Sequence, residues 1–317
     1  MEDVAGRLDR RSLEGVAEQA LAVWGTVRFR YRLAASLTGY AITGFVAWFI
    51  LTNHPGWVGR DVDVWIRVGS DVRSGVSPYG GGPWQAAFFY APPWALLLGA
   101  ISWLGKPLVW AIIASCEVLS LRYIAGSWLR VGYFGLCFLT GAEIVSGAFN
   151  LVIAAGLAAT IRGDSRLAAL TALAKLSPVL AIRELRGPVI VLGAAVILTV
   201  PVFGWWGDWV AQLANASSSY TTNGYHEIPW SARLLFGLAV LIAWRSPRAG
   251  ALAAAAAIPG LYAISVVLLY ALVAQPAAEP VAEMAHGTSG TVDATRRSPM
   301  LTGRWWVNAA STRLPFG

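Results

Sequence analysis

Twenty consecutive residues without a charge, Leu33–Thr52, stand directly behind Arg28, Arg30 and Arg32. About 20 apolar residues span the hydrocarbon core of a bilayer, and arginines on one flank favour a cytoplasmic position for that flank. The run predicts a membrane helix entered from the cytoplasm, so the stretch from Asn53 to about Gln85 faces the opposite side.

The remainder of the chain repeats the theme. Charged residues make up 13% of the 317 and apolar residues 56%, where a soluble chain carries about 25% charge. This excludes a disordered chain, a nucleic-acid module and an ordinary soluble enzyme. Further apolar runs cover 86–105, 107–121, 131–161 (interrupted at Glu143 and Asn150), 167–182, 187–203, 234–244 and 249–274. They predict an all-α, polytopic protein of about eight or nine transmembrane helices. The division is a cytoplasmic segment 1–32, a membrane domain 33–274, and a disordered tail 275–317 rich in Ala, Pro, Gly, Ser and Thr. Arg245 and Arg248 mark a later cytoplasmic turn. Between 86 and 186 two registers stay open: every run crosses, or Lys175-Leu-Ser-Pro178 breaks a re-entrant hairpin. The second keeps Arg122, Arg130, Arg162 and Arg166 inside. Two polar stretches face outward in either register. The first, 53–85, predicts an interfacial helix with Val62, Trp65, Ile66, Gly69, Val72 and Val76 on one face. The second, 204–230, carries Trp205, Trp206 and Trp209, residues suited to the headgroup zone.

Chemistry-bearing residues are few. Asp61 opens the interfacial helix, and two roles fit it: a cap on the helix N-terminus, or a base that takes a proton from a hydroxyl. Asp63, two residues on, points elsewhere and reads as solvated. Of 24 basic residues only Lys106 and Lys175 are lysines. Lys106 lies between two runs as a loop charge. Lys175 lies inside one, where a charge is costly and marks a functional candidate; it either faces an anionic ligand or snorkels to the interface. His226 precedes a membrane helix in an outward loop, placed to bond a phosphate or to remain solvated. Glu117 and Glu143, in apolar helices, need partners, for which Arg122 or Arg130 are the candidates. Scattered histidines and the absence of His-x-x-x-His predict no metal and no cofactor.

Asp61, then Gly75-Val-Ser-Pro-Tyr79, then Phe89-Tyr-Ala-Pro-Pro93 form an ordered series. With Gly147-Ala-Phe-Asn150 and Ala174-Lys-Leu-Ser-Pro178, the series resembles glycosyltransferase family 87, polytopic GT-C enzymes that use polyprenyl-phosphate sugars. The resemblance covers about residues 35–245 and departs from the family pattern at Ala148, in place of Gln, and at Ala91, in place of Pro. It implies an inverting transferase with Asp61 as catalytic base and Lys175, His226, Tyr79 and Asn150 on the substrates. The donor it implies is a polyprenyl-phosphate sugar, mannose by analogy, which serves as co-substrate. The acceptor is a lipid, a glycolipid or a polysaccharide. Abundant Ala, Gly and Arg with few Lys suit a GC-rich bacterial genome, hence a multi-pass plasma-membrane protein with an extracytoplasmic site. Two rival readings are a degenerate, non-catalytic relative and a small-solute or lipid transporter, although no internal repeat of the transporter kind is visible.

Overall fold

A computed structural model of the chain describes residues 29–79, 90–219, 230–244, 246–257 and 263–275. The chain divides into a unit of residues 1–277 and a C-terminal segment, 278–317. The segment 1–28, most of the tail 275–317, Arg245 and His226 lie outside the described residues. Within them every regular element is a helix and no strand occurs.

The charge-free run forms α1, Phe29–Asn53, followed by a 3-10 turn at Pro55–Trp57. The interfacial helix is α2, Arg60–Arg73. Its inward face is Val62, Trp65, Val68 and Gly69, all buried. Val62 and Val68 each contribute about 1.5–3 kcal/mol when removed from water, and Gly69 lets the backbone of α2 approach Ser102 and the Leu98 carbonyl. Val76 departs from expectation: the helix ends at Arg73, and Val76 is exposed beyond the turn at Gly75.

The runs 86–105 and 107–121 do not form two separate spans. Pro92–Ile101 (α3) and Gly105–Ala125 (α4) join through a 3-10 turn, and Pro92–Ala125 makes one apolar stretch of 34 residues. The run 131–161 breaks into three helices: α5, Trp128–Gly135; α6, Phe138–Ser146; and α7, Asn150–Ile161. A 97° bend separates α5 from α6. After α7 the chain turns back through Gly163 into α8, Arg166–Ala172, and then a 3-10 turn at Ser177–Ala181. The remaining helices are α9 (Arg186–Leu198), α10 (Trp205–Ser219), α11 (Trp230–Ala243) and α12 (Pro247–Ala256), with a 3-10 stretch over Ala263–Val273.

Among the described residues, two stretches have the length and apolarity to cross a membrane, Arg30–Asn53 and Pro92–Ala125, with a third if α5 and α6 count as one bent span. The other apolar helices are shorter for a physical reason. A helix the length of α7 rises about 18 Å, against about 30 Å of hydrocarbon, and the breaks fall at Gly147, Gly163, Pro178 and Pro201. The apolar helices nevertheless leave large side chains uncovered, among them Phe45 and Trp48 on α1, Ile190 and Ile197 on α9, and Ile242 on α11. A soluble monomer rarely exposes contiguous apolar surface on this scale. In α10, Trp209 is buried, and Trp206 donates through Nε1 to the Thr199 hydroxyl at 2.9 Å. Both therefore make packing contacts within the protein.

Candidate functional site

Four chain segments meet at one end of α7. The carbonyl of Val145, in the last turn of α6, lies among the four that a helix C-terminus leaves without an intrahelical partner. It accepts from the Gly59 amide at 2.9 Å and from Trp110 Nε1 at 2.9 Å. Gly59 (φ +60°) is the residue that caps α2, so the start of α2 is tied to the end of α6. The next turn completes the joint. Gly147 has φ +68°, and a Cβ there would stand 2.8 Å from Val62 Cγ2. Only glycine meets both conditions. On the other side, the Ala91 amide donates to the Leu173 carbonyl at 2.7 Å, joining the start of α3 to the end of α8.

These joints gather the polar residues of the motifs. Lys175 Nζ donates to Asn150 Oδ1 at 2.7 Å. Asn150, 2% exposed, donates in turn through its backbone N–H (2.7 Å) and Nδ2 (3.1 Å) to the two oxygens of Glu143, which is 0% exposed. Glu117, equally buried on α4, lies against Glu143. The arginine partners expected for the two glutamates are not the ones found. Arg122, in the last turn of α4, stacks over Trp128 with 5.9 Å to the ring centroid, whereas Glu143 is directed at the start of α7.

Asp61 occupies the first turn of α2, half-buried, within electrostatic range of Lys175. Gly59 holds the cap position, and no side chain makes a capping hydrogen bond there. The capping role for Asp61 is therefore not realised, although a carboxylate in a first turn still complements the helix dipole. Burial pushes the Asp61 carboxyl up from its ordinary range, and the cations of Lys175 and then Arg60 hold it back. A carboxylate raised in this way is the better proton acceptor. Asp63 is exposed and paired with Lys106 at 2.8 Å.

One wall of the site is aromatic. Phe149 sits edge-on to Trp94 at 4.7 Å and to Trp65 at 6.1 Å, and Tyr90 packs against Trp65 at 5.9 Å. Tyr79, 7% exposed, donates its hydroxyl to the Tyr90 carbonyl at 2.7 Å, so its visible work is to hold Tyr90. Burial and then the Asp208 carboxylate push the Tyr79 phenol up, which keeps it a neutral donor.

Of the sequence-predicted site residues, Asp61, Asn150 and Lys175 come together, Tyr79 stands behind Tyr90, and His226 is outside the described residues. Sequence reasoning missed Glu143 as a member. The available signal was a carboxylate seven residues before Asn150 in the same apolar run, matching a lysine in an apolar run that needs a counter-charge. Comparison with known proteins adds no relative: no family model, no curated protein and no solved structure matches the chain.

Proposed function

We propose that the protein is an inverting glycosyltransferase of the GT-C kind, a polytopic membrane enzyme with its site on the extracytoplasmic side of a bacterial plasma membrane. It moves a sugar, mannose by the family resemblance, from a polyprenyl-phosphate donor to a membrane glycolipid or polysaccharide acceptor. One observation carries the reading. Asp61, Tyr90-Ala91, Asn150 and Lys175 are dispersed over more than a hundred residues, and they converge on one largely buried spot where the Asp61 carboxylate lies within electrostatic range of the Lys175 ammonium.

In the proposed step the acceptor hydroxyl oxygen attacks the anomeric carbon from the face opposite the phosphate. The new C–O bond forms as the bond to the phosphate oxygen breaks, and the hydroxyl proton passes to Asp61. The bonding pair leaves with the polyprenyl phosphate, whose added charge the Lys175 ammonium offsets. The aromatic wall of Trp65, Tyr90, Trp94 and Phe149 supplies an apolar flank for a sugar ring or the first isoprene units.

The test is transfer by purified protein given labelled polyprenyl-phosphate mannose and a membrane glycolipid extract. Labelled glycolipid is the expected product. Donor binding without transfer would mark a degenerate relative, and neither binding nor transfer would favour the transporter reading.

A further inference from the structure

The Glu143 carboxylate is a cluster member that neither the motif series nor the proposed step uses. It enters from α6, and both its oxygens go to one residue, Asn150. Two consequences follow from that geometry. Asn150 is the first residue of α7, so its N–H is among the four donors that a helix start leaves unpaired. A carboxylate at that point satisfies the donor and complements the positive end of the helix dipole. The second consequence concerns the amide. With Nδ2 on the carboxylate, Oδ1 is turned toward Lys175 Nζ. A flipped amide would set oxygen against carboxylate and NH2 against ammonium, both repulsive. The negative charge of Glu143 therefore selects the amide orientation that receives Lys175.

We propose that Glu143 is the positioning residue of this site: through Asn150 it fixes where the Lys175 ammonium stands, and with the same carboxylate it caps α7. The catalytic meaning of that placement rests on the transferase reading above, but the placement itself can be measured without turnover.

The chain has two lysines, so each serves as the reference for the other. Detergent-solubilised full-length protein is treated with acetic anhydride, and acylation at Lys175 and Lys106 is followed by peptide mass spectrometry. An anchored ammonium reacts slowly. Glu143→Gln and Asn150→Ala are each expected to raise Lys175 acylation several-fold while Lys106 keeps its rate. Asp63→Asn is expected to do the reverse and release Lys106 alone. Unchanged Lys175 reactivity in Glu143→Gln and Asn150→Ala, with Lys106 released in Asp63→Asn, would overturn the proposal. Should Glu143→Gln fail to fold, Asn150→Ala removes the relay from the other side, leaves the backbone cap in place and decides the matter. In the transfer assay, Glu143→Gln is expected to lower kcat and to raise the donor KM as well, whereas a general loss of folded protein would lower the apparent kcat alone. A protein whose Lys175 is released by these changes, yet whose parent form transfers no sugar, keeps the placement and loses the transferase reading. The two failures are thus separable.

Discussion

The two lysines stand in opposite surroundings, and each is matched to a carboxylate in a different way. Lys106 meets Asp63 directly, 2.8 Å apart, with both side chains substantially exposed. Lys175 meets Glu143 only through the amide of Asn150, in a place where Asn150 and Glu143 are buried. Solvent and salt weaken the first pair, and exposed pairs of this kind contribute about 0.2–1 kcal/mol. The second arrangement cannot be loosened so cheaply, because removing one partner strands a polar group away from water. Among the described residues no carboxylate touches the Lys175 ammonium directly, and in the proposed step that leaves its charge to the donor phosphate. An ion pair at the surface fastens α2 to α4; a relayed charge at the start of α7 holds the Lys175 ammonium in place.

The largest contrast should come from removing each amine. Lys175→Met is expected to lower transfer by roughly 10²-fold, the scale of losing an electrostatic stabiliser of developing charge, and Lys106→Met to change it less than about twofold. Equal effects in a radiolabel transfer assay would erase the distinction. Next in size is the joint that brings the relay to Asp61. Gly147→Ala forces a side chain into the left-handed region and against Val62, at a cost of about 1–3 kcal/mol. Thermal unfolding in detergent would show it as a lowered midpoint. The pH profile sharpens the comparison further. Burial raises Asp61, and a base must be unprotonated, so the acid limb of kcat/KM should lie above the ordinary carboxylate range. Because Lys175 lowers that same carboxyl, Lys175→Met should move the limb to still higher pH in whatever activity remains, while Lys106→Met should leave it in place. Smallest of all, Asp63→Asn should cost at most about 1 kcal/mol of stability, and less at high salt.

Much of this architecture is legible in the sequence, and the illegible parts have physical causes. The helix Phe29–Asn53 contains the charge-free run because nothing within it interrupts either apolarity or backbone bonding. Pro178 signals a break near Lys175, but α8 ends earlier, at Ala172, so Lys175 lies in the turn itself and Pro178 stands at the start of the 3-10 turn that follows. The division of 131–161 into three helices carries no such signal. Gly147 looks like any small residue in an apolar run until its φ and its closeness to Val62 are known. Asp61 looks like a cap because acidic residues cap helices, yet the chain enters α2 through Gly59 in a left-handed conformation. Glu143 is the instructive miss. A search along the sequence for its counter-charge turns to arginines, whereas the fold supplies an amide seven residues on and, behind it, a lysine twenty-five residues further.

In the proposed sugar transfer Asp61 is the base and Asp63 is a bystander. On a helix the two point about 200° apart, and they differ in burial and in partner. Asp61→Asn preserves size but cannot take up the proton, so transfer of labelled sugar from polyprenyl phosphate should fall by at least ~10²-fold at matched levels of folded protein. Asp63→Asn should transfer at close to the parent rate. Parent-like transfer by Asp61→Asn in that side-by-side assay would show that Asp61 is not the base.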